Sequence, residues 1–241
     1  MFVEQSTDAR SSEPGSSVFL EVAGIHKRFG GVHALRGVSF VIERGQIYHL
    51  LGENGCGKST LIKIISGAQP PDEGHIVIEG QTYTALTPIA SLSAGIETVY
   101  QDLSLIPNLT VAENVALTEQ LVKAKGRLAR PLRQAELNAT AARALAAVNL
   151  PTNEEFLATP VGGLPLAVRQ LVAISRAIAT KAKLVIMDEP TTSLTRREVD
   201  NLIRVVAELR RDKVAVLFVT HNPDLARRCD KTSQVVDGLV K

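Results

Sequence analysis

A strand, a glycine-rich loop and a helix follow one another between Gln46 and Gly67, and this order constrains the fold more than any other feature of the chain. The loop, GENGCGKST from Gly52 to Thr60, fits G-x-x-x-x-G-K-[ST], the sequence of a phosphate-cradling turn. Gly52, Gly55 and Gly57 allow positive φ and turn backbone N–H groups inward as an anion nest, with Glu53, Asn54 and Cys56 filling the positions between them. Lys58 then offers a point charge to the β- and γ-phosphates, Ser59 a hydroxyl for Mg²⁺ and Thr60 a donor to the α-phosphate. The apolar run Gln46 to Leu51 reads as the strand. Leu61, Ile62, Ile64 and Ile65 have helical spacing up to Gly67, a C-terminal cap, so a helix dipole points at the same anion. A nucleotide is the ligand this arrangement predicts.

Composition excludes several other classes. The chain has 241 residues, 45% of them hydrophobic and 22% charged, which is ordinary for a soluble globular protein of one large or two small domains. A formal net charge of +2 is too small to argue for nucleic acid. The cluster Lys123, Lys125, Arg127, Arg130 and Arg133 reads as a solvated loop. No apolar run approaches the ~20 residues of a membrane span, and the N-terminus lacks the order of a signal peptide, so a cytoplasmic location is expected. Cys56 and Cys229 are isolated thiols without metal-ligand spacing.

Residues 1–17, rich in Ser, Glu and Gly, read as a disordered leader, and a single domain is expected over 18–241. Short alternating segments such as Val18 to Val22 and Val38 to Ile42, separated by Gly-rich turns, predict an antiparallel sheet. Apolar strands at Ile96 to Tyr100, Leu184 to Met187 and Val214 to Val219 alternate with helical stretches and predict a parallel sheet buried on both faces, giving an α/β fold. A helical insertion is expected over about 103–160, where Thr110 and Glu113 form a capping box and the Ala-rich stretch Leu132 to Val148 supplies a second helix.

Open α/β sheets bind ligands outside the carboxyl ends of their strands. Here Leu51 leads into the phosphate loop, Tyr100 into Gln101, Met187 into Asp188 and Glu189, and Val219 into Thr220 and His221. Asp188 at a buried strand end suits a Mg²⁺ held opposite Ser59, and Glu189 suits a water-activating base. Gln101 has a neutral amide for Mg²⁺ or the attacking water, and His221 a donor that senses the γ-phosphate.

At this point the chain resembles the ATP-binding cassette ATPases, over nearly its whole length from Phe19 to Gly238. The resemblance rests on the phosphate loop, Gln101 as a Q-loop, the strand end LVIMDEP at Leu184 to Pro190 and His221 as a switch histidine, all at family spacings. It implies the P-loop fold of that family, with a parallel core sheet, an N-terminal antiparallel subdomain and a helical subdomain. Phe29 matches the aromatic on which such proteins stack adenine. Finer strings, FGGVHAL at Phe29 to Leu35, VYQDLSLIPNLTVAENV at Val99 to Val115 and TSLTRREV at Thr192 to Val199, look like the first cassette of monosaccharide-import ATPases, and nucleoside importers share much of the pattern. The resemblance implies ATP and Mg²⁺, a second cassette, a separate permease with a substrate-binding protein behind it, and a place on the cytoplasmic face of the membrane. It also admits a non-transport cassette ATPase, or an interaction module with little turnover.

The chain departs from the family in two places. Where the family carries its LSGGQ signature, this chain has Leu164, Pro165, Leu166, Ala167 and Val168. Pro165 removes a hydroxyl and an N–H that would reach the γ-phosphate held by an opposing cassette, and Ala167 adds a methyl there. Monosaccharide-import ATPases resemble two fused cassettes, whereas one is present here. In that family the first cassette's signature faces a weakened phosphate loop, so a poor signature would cost little and one competent ATP site would remain per pair.

Overall fold

The computed structural model describes residues 17–53, 55–124, 133–191, 194–220 and 223–240, the side chains of Pro223 and Asp224 excepted. The leader proposed for 1–17 therefore lies outside the described residues apart from Ser17, as do Asn54, most of the basic cluster, Thr192, Ser193 and His221.

The chain opens with a hairpin of β1 (Val18–Phe29) and β2 (Val32–Glu43). The sequence suggested short segments broken by glycine turns, but both strands run for 12 residues. Register shifts between Val22 and Ile25 absorb Gly24, whose φ is 60°, so that glycine marks a bulge within a strand and not its end. β3 (Ile47–Gly52) and α1 (Lys58–Ile65) follow, with the phosphate loop between them. Next come β4 (Glu73–Ile78), β5 (Gln81–Tyr83), α2 (Pro88–Ser93) and β6 (Ile96–Val99). The insertion holds α3 (Val111–Lys123), α4 (Gln134–Ala146) and α5 (Glu154–Leu157). The chain continues through α6 (Leu166–Ala179), β7 (Leu184–Asp188), α7 (Arg196–Arg211), β8 (Ala215–Val219), α8 (Pro223–Ala226), β9 (Lys231–Val236) and β10 (Leu239–Val240).

Two sheets result. The antiparallel one has the order β2-β1-β4-β5, and the other the order β10-β9-β3-β8-β7-β6. In the second, β9, β3, β8, β7 and β6 are parallel, and β10 adds an antiparallel edge. Each central strand sends alternate residues to opposite faces. Tyr48, Leu50, Ile186, Leu217 and Val219 pack toward α1 and the antiparallel sheet, while Ile47, Val185, Met187, Val216 and Phe218 pack toward α6 and α7. Full burial of such side chains is worth about 1.5–3 kcal/mol apiece, and it fixes which carboxyl ends lie side by side.

The insertion has its own core, in which Val111, Val115, Ala141, Leu145 and Val172 join α3, α4 and α6. Its first helix begins at the Thr110–Glu113 capping box, with the Glu113 backbone N–H donating to Thr110 Oγ1 at 3.2 Å and the Thr110 N–H to Glu113 Oε2 at 2.8 Å. None of the described helices is long and apolar enough to cross a membrane.

Candidate active site

The four strand ends read from the sequence meet along one edge of the parallel sheet. β3 leads into the loop, and β8 and β7 lie beside it in register, with Leu50 opposite Val219 and Val219 opposite Asp188. The loop leaves no room for side chains at two of its glycines. A Cβ on Gly57, where φ is 108°, would stand 2.5 Å from the Ala34 carbonyl oxygen, and one on Gly52 would stand 2.6 Å from Cys56 Sγ and 2.8 Å from the Val235 carbonyl oxygen. Gly55 and Gly57 take the positive φ expected of an anion nest. Gly52 does not, so its requirement is space.

Lys58 is buried, and its Nζ donates to the carbonyl oxygens of Gly52 at 2.6 Å and Glu53 at 2.8 Å. The ammonium thus bridges two carbonyls of its own loop. Ser59 is exposed and Thr60 half-buried on the first turn of α1. That helix has neither a side-chain cap nor an acidic residue in its first turn, so no side chain of its own meets its N-terminal dipole.

Across from the loop, Asp188 ends β7 and Glu189 turns out of it with φ 48°. The Glu189 backbone N–H donates to the Val219 carbonyl oxygen at 2.8 Å, and Thr220 Oγ1 donates to Glu189 Oε2 at 2.9 Å. Burial pushes the Asp188 carboxyl up to about 6, with the neighbouring Glu189 and Asp102 acting in the same direction against Lys58. Two adjacent carboxylates that repel in this way favour a cation. Asp188 and Gln101 share one cavity, and with the Ser59 hydroxyl their oxygens would form a donor set of the kind that suits Mg²⁺, an ion that keeps waters and takes phosphate oxygens. No group of three His, Cys, Asp or Glu side chains that could form a closed cage occurs among the described residues.

Gln101 is exposed and lines, with Tyr100, Asp102 and Asp188, a cavity of about 700 Å³. Phe29, the last residue of β1, is 46% exposed, with Lys27 Nζ 5.8 Å from its ring centroid. His221 and Asn54 lie outside the described residues.

Two contributors escaped the sequence reading. Thr220 was legible only as a strand end, yet its hydroxyl holds Glu189. Arg176 of α6 is buried, and its guanidinium donates to Glu97 Oε1 at 2.9 Å, to the Ser104 carbonyl oxygen at 2.9 Å and to the Thr98 carbonyl oxygen at 3.2 Å. It thereby ties α6 to β6 and to the segment after Gln101. An arginine inside the apolar run Val172 to Ala179 was the available signal.

Residues 35–192 match the family model described as ABC transporter. The chain belongs to the ABC transporter family. Among curated relatives it is 41% identical over 222 residues to ribose import ATP-binding protein RbsA 2 of Burkholderia pseudomallei (strain 1710b), covering 91% of this chain and 42% of the relative. It is 39% identical over 223 residues to ribose import ATP-binding protein RbsA of Rhodopirellula baltica, covering 92% and 41%. The chain thus spans less than half the length of these relatives. Among solved structures, the ADP conformation of MJ1267, an ATP-binding cassette of an ABC transporter, superposes with a TM-score of 0.80 at 26% identity, covering 94% of this chain and 90% of that one. The dimeric post-hydrolysis state of the ATP-binding cassette MJ0796, bound to ADP and Pi, superposes with a TM-score of 0.79 at 26% identity, covering 92% and 96%. The P-loop cassette fold and a nucleotide-binding role follow from membership of the ABC family.

Proposed function

We propose that this chain is the ATP-binding and hydrolysing cassette of an importer, energising uptake of a sugar or related small solute through a separate permease on the cytoplasmic face of the membrane. The observation that carries the reading is the convergence on one sheet edge of Lys58 at the mouth of the phosphate loop and the Thr220-held carboxylate of Glu189 beside Asp188. The ribose import names of its relatives support sugar as the solute class.

In this reading Phe29 stacks on adenine while the loop N–H groups and Lys58 hold the β- and γ-phosphates. Ser59, Asp188 and Gln101 would hold Mg²⁺, which neutralises charge developing on the phosphates. Glu189, aimed by Thr220, takes a proton from the attacking water, and His221 donates to the γ-phosphate. A second cassette closes over the nucleotide with its own signature helix. Gln101 then couples nucleotide state to the permease through the groove beside the helical insertion, where Ile106 stands 51% exposed next to the Arg176 bridge.

Pro165 favours a second reading, an ATP-dependent dimerising module with little turnover, because it stands at the N-cap of α6 with no side-chain cap. Replacement of Glu189 by Gln separates binding from chemistry. Glu189→Gln should keep ATP affinity and lose at least about a hundredfold in phosphate release with a second cassette present. Normal hydrolysis by that variant would remove Glu189 from the mechanism.

A further inference from the structure

β3 reads Ile-Tyr-His-Leu-Leu-Gly, and its third residue places an imidazole in the interior of the six-stranded sheet. His49 is fully buried, stands opposite Phe218 of β8 and Thr232 of β9, and by strand alternation shares the face of Ile47. Neither of its ring nitrogens has a hydrogen-bond partner among the described residues. A buried polar group left unmatched is costly, and the flanking positions show that this strand accepts Leu. An imidazole at this place calls for a partner in some state of the protein.

The backbone acceptor that acts on the ring is the Thr220 carbonyl, two residues beyond Phe218 at the end of β8, although the pair falls short of hydrogen-bond geometry. Burial pushes the ring's pKa down, while the Thr220 carbonyl and the Glu189 carboxylate pull in the other direction. A neutral imidazole has one N–H to give. Thr220 is itself fully buried, and its hydroxyl is the group that holds Glu189 Oε2 at 2.9 Å. His49 therefore lies behind the carboxylate, one residue removed from it, with a donor to spare.

We propose that His49 is a positioning residue for the hydrolytic end of the site, donating its ring N–H to the Thr220 carbonyl when nucleotide closes the site and so fixing the Thr220 hydroxyl on Glu189. This rests on the reading of Glu189 as the base. In this role His49 contacts neither the nucleotide nor the attacking water. Its contribution is to the orientation of the Thr220 peptide, and it belongs in kcat and not in ATP affinity.

The test compares His49→Leu, His49→Asn and Glu189→Gln in the full chain, with MgATP varied through saturation and the same second cassette, bearing an intact signature, present throughout. His49→Leu should melt at or above the wild-type temperature, since it removes an unmatched buried polar group, and should lower kcat about tenfold with KM unchanged. His49→Asn, which restores an N–H donor, should recover most of that loss. Unchanged kcat in His49→Leu, a lowered melting temperature, a matching rise in KM, or no recovery with Asn each overturns the proposal. Glu189→Gln keeps the two ideas apart. If it retains turnover, the base assignment falls whatever His49 does; if it is inactive while His49→Leu is normal, only the positioning role falls.

Discussion

The helices α1 and α6 both begin with no acidic residue in the first turn and no side-chain cap, and they differ in what precedes them. α1 follows Gly57 and α6 follows Pro165. By contrast, α3 and α7 are closed by Thr–Glu capping boxes at Thr110–Glu113 and Thr195–Glu198, so their own carboxylates meet their first N–H groups. At α1 the fold dictates the sequence, because Gly57 is pinned against the Ala34 carbonyl and Lys58 is locked to loop carbonyls. At α6 it does not. A Cβ on neighbouring Gly163 would meet no atom within 4 Å, and Pro165 and Leu166 are exposed. The α1 end is thus built into the core of its own chain, whereas the α6 end is exposed at Pro165 and Leu166. Changes at the exposed start of α6 therefore need not disturb this chain's own fold, and Pro165 and Ala167 stand there where the resemblance would put signature residues.

That contrast breaks first at Lys58. Lys58→Ala should weaken ATP binding by about a hundredfold or more, since it removes charge-assisted bonds to two phosphates from a buried ammonium. Calorimetry showing unchanged ATP affinity would reject the phosphate-loop assignment and leave α1 no more functional than α6. A smaller effect sharpens the same comparison from the base side of the nucleotide. Phe29→Ala should cost about 1–2 kcal/mol in adenine nucleotide affinity and leave tripolyphosphate binding unchanged. Equal losses for both ligands would contradict stacking and assign all recognition to the loop.

How much of this was legible follows from which physical signals are local. The phosphate loop, β3, β6, β7, β8 and the Thr110 capping box were readable because each is a short-range pattern of spacing or apolar run. β9 was not read, since Lys231–Val236 carries Lys, Thr, Ser and Gln and becomes a strand only by pairing with β3 across 183 residues, as the Ile47 N–H bond to Asp230 measures. The long hairpin was misjudged because Gly24 in a bulge and glycine in a turn look alike in sequence. At the site, the placing of Asp188 and Glu189 was legible as a strand end. The Thr220 hydroxyl that holds Glu189, the buried Arg176 bridge and the unmatched His49 depend on which strands become neighbours, and no local pattern carries that information.

The central claim is that this cassette holds a sound nucleotide loop and a poor signature, so it binds ATP well but cannot serve a copy of itself. Steady-state phosphate release by the isolated chain, wild type against Pro165→Ser, Ala167→Gly, Val168→Gln, tests it most directly. The account predicts MgATP binding with very slow wild-type turnover, a clear rise in the triple variant, and much less gain when a second cassette with an intact signature is present. Wild-type turnover on the order of tens per second, within the ordinary enzyme range, would contradict it, as would an equal gain in both pairings.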